Sequence, residues 1–157
     1  MRPYITEEQD LTLGAESEIT YSFRRIEVSE SRTSTPVHIL LLQFTGPYGV
    51  GSAGRRDAAF LLAMSKAALT LWPPDALIFD LQALEYVWGD NICELFDIPR
   101  LVGFDLPAAV AASRLNHTPL EGILNSFIGQ PPISVFLHVD RAIDHVFHAA
   151  SERRTCL

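Results

Sequence analysis

Residues 37–45 read VHILLLQFT, an aliphatic run of strand length with scarcely a polar interruption. Successive side chains of a strand point to opposite faces, so such a run is satisfied only where both faces are covered, as inside an α/β sheet. From Ser52 the pattern becomes helical. Ala59, Leu62, Ala63, Lys66, Ala67 and Leu69 recur at helical spacings, Ser52 is a candidate N-cap, and Pro73-Pro74 ends the run after about five turns. A second apolar run, DALIFDLQALEYV, follows at once. Strand, helix and strand then make one βαβ unit with a right-handed crossover.

The rest of the chain extends this unit. Upstream, EITYSFRRIEV alternates Ile19, Tyr21 and Phe23 with polar neighbours, and the polar SESRTST before Val37 predicts a hairpin. Downstream, NICELF reads as a short helix. DLPAAVAASRL reads either as a buried strand or as an Asp-capped, Ala-rich helix; a parallel sheet asks for the strand. TPLEGILNSFIG has Thr118 as a cap, Pro119 at the first helical position, Glu121 in the first turn and Gly129 as a stop, and QPPISVFLHV begins another strand after a second diproline. In DRAIDHVFHAASE, Ala142, Ile143, Val146, Phe147 and Ala150 share one face of an amphipathic helix. With no linker or low-complexity stretch, residues 1–157 are expected to form a single α/β domain, with 1–18 as a loosely ordered N-terminal segment. Its sheet is expected to be mainly parallel or mixed, with about five strands and helices packed on it.

Charge narrows the partners. A net charge of −7 and a pI of 5.1 repel phosphate backbones and anionic lipid heads, so nucleic acid and membrane are not expected partners. The longest strongly apolar run, HILLLQF, is too short to span a bilayer, and MRPYITEEQD has no basic start before an apolar stretch, which together predict a cytoplasmic protein. Cys93 and Cys156, far apart and outside any CxxC, suit reduced thiols.

Between strand and helix, Gly49-Val50-Gly51-Ser52-Ala53-Gly54 spells G-x-G-x-x-G. A dinucleotide cradle needs its first glycine at the very end of the strand and an acid about 20 residues beyond the motif. Here Gly46-Pro47-Tyr48 intervene, Asp80 lies too far on, and Arg55-Arg56 stand where a Walker motif has lysine and a hydroxyl residue. The glycines are therefore read as a loop needing positive φ, with a residual anion site from Gly51, Ser52, Arg55 and Arg56. In HVDRAIDHVFH, Asp144, His145 and His148 supply too few ligands for a metal site. His117 and Glu121 are four apart, with the glutamate read as a capping residue. No G-x-S-x-G or H-E-x-x-H occurs, and Cys93 has no histidine partner nearby in sequence. No catalytic residue, metal or cofactor is predicted.

ALIFDLQALEYVWGDNI, residues 76–92, resembles the core of the STAS family, the domain of anti-sigma factor antagonists and sulfate-transporter tails. In that family a strand ending in Asp-Leu leads through an apolar turn to Asp-Ser-Ser-Gly and a helix. Asp80-Leu81 match the strand end and Trp88-Gly89-Asp90-Asn91 the Asp-Ser-Ser-Gly positions, while PISVFLHVDRAIDHV is similar to the family's closing strand and helix. The resemblance implies a STAS-like order of elements and a regulatory, non-enzymatic module that binds a protein partner. It also places Asp90 where the family carries its phosphorylatable serine, so the kinase switch is absent and the charge permanent. Tyr86, Trp88, Gly89, Asp90 and Asn91 are the candidate binding residues; the two aromatics read equally as packing or as ligand contacts. EYVWGDNICEL is also similar to the oxyanion loop of the crotonase superfamily, which would imply a small enzyme or acyl-CoA-binding protein. A toxin-neutralising immunity-type protein is a third reading of a small acidic domain.

Overall fold

A computed structural model describes residues 7–101, 105–126 and 133–156. Strands β1 (Thr20–Val28) and β2 (Val37–Pro47) form an antiparallel hairpin in continuous register, from Thr20 opposite Thr45 to Val28 opposite Val37. A 3₁₀ turn (Gly51–Gly54) leads into α1 (Arg55–Leu71) and then β3 (Ala76–Asp80), which runs parallel to β2. The chain turns at Leu81 and adds a two-residue strand, β4 (Leu84–Glu85), beside Gly46 and Pro47 at the far end of β2. There follow a second 3₁₀ turn (Asp90–Ile92), the short helices α2 (Cys93–Phe96) and α3 (Ile98–Leu101), β5 (Ala108–Ala111), α4 (His117–Asn125), β6 (Ser134–Phe136) and α5 (Val139–Thr155).

The sheet order is β1-β2-β3-β5-β6, parallel except for β1, with β4 attached to β2 alone. Each parallel connection steps in the same direction, so right-handed crossovers bring their helices to one face. On that face Leu40, Leu42, Phe44, Leu77, Phe79 and Val110 pack with Leu61 and Met64 of α1, Leu95 of α2 and Leu120 of α4. The opposite face, Ile39, Leu41, Ile78 and Ala109, is covered by Ala142, Val146 and Ala150 of α5. This two-sided cover is what VHILLLQFT demands: Ile39, Leu41, Leu42 and Phe44 are all 0% exposed. The expected α/β fold is present, and the strand reading of residues 108–111 holds because β5 lies in parallel register between β3 and β6.

Two helix starts differ from expectation. Ser52 is not a cap; it lies inside the 3₁₀ turn, and Gly54 holds the N-cap position of α1 with no side-chain bond. The second helix begins at His117, after Asn116, so Thr118 and Pro119 are its second and third residues. Proline is tolerated there because the amides of a helix's first turn have no intrahelical acceptor. Glu121 consequently falls in the next turn and caps nothing; its Oε2 lies 3.3 Å from Nδ1 of His117. The predicted stop at Gly129 and the diproline Pro131-Pro132 lie outside the described residues. No described helix is long and apolar enough to cross a membrane.

Candidate functional site

The two stretches singled out by sequence, GVGSAGRR and EYVWGDN, meet beyond the carboxyl ends of β2 and β3. The Gly51 N–H donates to the Trp88 carbonyl at 3.2 Å, and Nδ2 of Asn91 donates to the Gly51 carbonyl at 3.4 Å. Gly51 adopts φ +59° beneath the indole: a Cβ there would stand 2.7 Å from Trp88 Cη2. Gly89 adopts φ +139°, and its Cβ would stand 3.3 Å from the Gly51 backbone. Both positions favour glycine, and the close approach they allow lets the two hydrogen bonds join the loops.

Beneath this contact lie two tyrosines. Tyr86 is buried; its hydroxyl donates to the Gly89 carbonyl at 2.9 Å and its ring meets Tyr48 edge-on at 5.3 Å. Burial, with Cys93 and Asp90 nearby, pushes the Tyr86 hydroxyl pKa up to about 12. Burial likewise raises Tyr48, whose hydroxyl has no hydrogen-bond partner among the described residues. Cys93 is pushed up to about 11 by burial and then by Asp90 and Asp97, so it stays a thiol at neutral pH and is a poor nucleophile. The structure thus separates the two aromatics. Tyr86 is packing, while Trp88 is 60% exposed, beside Val87 at 59%. Val50, on the other loop, is 45% exposed. Asp90 is exposed at the start of its 3₁₀ turn and Asn91 is half-buried.

The glycine-loop amides that a cradle would use have internal acceptors. Gly49 N–H donates to Oδ2 of Asp57 at 2.8 Å, Gly51 N–H to Trp88, and Ala53 N–H to Val50. Asp57, in the first turn of α1, thereby occupies the place of an external anion, and its Oδ1 accepts from the Ser17 hydroxyl at 2.6 Å. What the loop offers an incoming anion is Arg55 and Arg56, both exposed, next to the exposed Ser52. A cleft of about 410 Å³ opens beside Tyr48, Gly49, Arg56 and Asp57, with Ser17 and Glu18 on its other wall.

Several contributors were not picked out from sequence. Val50 and Val87 read as ordinary loop residues; the Gly51–Trp88 hydrogen bond joins the loop of Val50 to the loop that carries Val87 and Trp88. Asn116 is 1% exposed; its Nδ2 donates to the carbonyls of Leu81 at 2.7 Å and Leu84 at 2.8 Å, and its Oδ1 accepts from Ser113 N–H at 2.8 Å. One side chain thereby fixes the turn that launches the Trp88 loop. An Asn directly before a helix was the available signal, and it suggests a cap rather than a brace.

Asp80, the strand-ending residue, is 2% exposed and accepts from Gln82 N–H at 3.2 Å and Gln43 Nε2 at 3.3 Å. Burial raises its carboxyl pKa above the ordinary 3.8, with the Gln82 amide, Arg24 and Gln43 pulling it back. A folded pKa above the unfolded one means that the native state holds the proton more tightly. Stability from this group is therefore greatest below the unfolded value and falls as pH rises through the folded value. Asp80→Asn is expected to flatten that slope in urea melts run from about pH 4 to 7. An unchanged slope would show that Asp80 is ionised in the native state without cost.

Among the described residues no group of three or more His, Cys, Asp or Glu is placed to hold a metal ion. No protein-family model matches the sequence, and no curated protein matches it. The chain is similar in structure to an anti-sigma factor antagonist from Mycobacterium paratuberculosis, at 18% identity and a TM-score of 0.46, over 80% of this chain and 94% of that one. It is also similar to an uncharacterized DUF3478-family protein with a SpoIIAA-like fold from Shewanella loihica PV-4, at 14% identity and a TM-score of 0.44, over 81% of this chain and 95% of that one.

Proposed function

We propose that this chain is a regulatory protein-interaction module that receives its partner on Trp88, Val87 and Val50. The observation carrying this reading is that three apolar side chains stand exposed on two loops locked together through Gly51 and Gly89. A rigid aromatic anchor costs little side-chain entropy on binding and is the residue type most often dominant in an interface. Glu85, Asp90 and Glu94 are exposed around it. The partner is accordingly a protein with an apolar recess for the indole and a basic group facing Asp90.

Asp90 gives the site a permanent charge in place of a switch. Residues 76–98 contain no serine or threonine, so a serine kinase has no acceptor there and docking proceeds without ATP. In affinity purification followed by titration of the recovered partner, Trp88→Ala is expected to weaken binding by about 2 kcal/mol or more, roughly 30-fold. Trp72→Ala, on the exposed end of α1, is expected to change nothing. Full partner retention by Trp88→Ala would remove this surface from the function.

A further inference from the structure

β1 is an edge strand. It pairs with β2 over nine residues without a bulge, and among the described residues no strand pairs with its outer side. An open edge offers a row of backbone donors and acceptors to another strand, and proteins commonly blunt it with proline, a bulge, a short strand or charge. TYSFRRIEV is neither short nor interrupted, and its exposed charges are of both signs: Arg24, Arg25 and Glu27.

Their placement is self-complementary. Arg25 and Glu27 lie on the face that carries α1, since Arg25 is opposite Leu40 and Glu27 opposite His38 in β2. In an antiparallel pair of two copies related by a two-fold axis through Ile26, each Arg25 stands opposite the other copy's Glu27. That gives two ion pairs on one face. On the other face Ile26 meets its own copy and Arg24 stands opposite Val28. An axis through Arg24 or Arg25 would instead set arginine against arginine, and one through Glu27 glutamate against glutamate, so charge favours the axis through Ile26 over these neighbours. We infer that the outer edge of β1 binds β1 of a second copy of this chain, joining two sheets into one continuous sheet. Trp88 and its neighbours lie on the loops beyond β2 and β3, not on the outer edge of β1.

Sedimentation equilibrium on the full chain over a concentration series tests this, with circular dichroism as a check of fold for each variant. Wild type is expected to dimerise reversibly, more weakly as salt rises. Arg25→Glu sets Glu against Glu at both positions and is expected to raise the dimer dissociation constant about tenfold or more. The double variant Arg25→Glu/Glu27→Arg restores opposite charges and is expected to return it to within about threefold of wild type. Trp88→Ala is expected to dimerise as wild type does. A wild-type chain that stays monomeric into the millimolar range overturns the inference, as does a dimer indifferent to Arg25→Glu or one not rescued by the charge swap.

Discussion

Asn116→Ala is expected to destabilise the fold by about 2–4 kcal/mol, because one buried side chain serves three backbone groups that water cannot reach as well. Its amide bonds the Leu81 and Leu84 carbonyls, and its oxygen takes the Ser113 amide. Each carbonyl keeps one other donor, Leu84 N–H for Leu81 and Tyr86 N–H for Leu84, which keeps the loss below that of full orphaning. Asn116→Asp is expected to be worse at neutral pH, since a carboxylate would then face two carbonyl oxygens. Urea denaturation measures both. A loss under about 0.5 kcal/mol for the alanine variant would mean that the turn does not depend on this brace.

The second large effect is expected at Gly49. A Cβ there would lie 2.4 Å from the Ala53 carbonyl group and 2.8 Å from the Gly54 nitrogen, all backbone, so no rotamer change relieves the overlap. Either the loop or the start of α1 has to move, and Gly49→Ala is expected to cost about 3 kcal/mol. The movement also draws Asp57 off the Gly49 amide. Gly122→Ala is the control: nothing lies within 4 Å of its Cβ position in the exposed face of α4, and removing a helical glycine is expected to stabilise by about 0.5–1 kcal/mol. Thermal melts of the two variants should move in opposite directions. Equal melting temperatures would show that the loop yields freely.

The sheet and its helices were legible because the periodicities of VHILLLQFT, ALIFD and DRAIDHVFHAASE depend on burial alone, and burial is what the layers impose. Helix starts were less legible. Ser52 and Thr118 have the right chemistry for caps, yet the positions were taken by Gly54 and Asn116, because close packing of Gly49 on Gly54 and the reach of Asn116 to Leu81 are contacts between distant backbone segments. The glycine motif lies nearer its strand than the sequence suggested, since β2 runs through Gly46 and Pro47 and only Tyr48 stands before Gly49. That its anion place is filled by Asp57 depends on a fold in three dimensions, as does the meeting of Val50 with the Trp88 loop. Residue type alone singled out Trp88 and Tyr86 together and could not separate the exposed indole from the buried tyrosine, whose hydroxyl finds a buried carbonyl.

Among the described residues α5 is the one helix on the second face, which has a consequence for the growing chain. Every strand of the sheet is synthesised before α5, so Ile39, Leu41, Ile78 and Ala109 wait on an open apolar surface until α5 leaves the ribosome. Arg154, near the end of that helix, then reaches back to Asp75 at 2.7 Å and to the Pro36 carbonyl at 3.0 Å, both at the opening ends of strands made much earlier. Completion of this second face is thus timed by the emergence of α5, and a nascent chain stalled before α5 would be a client for chaperones.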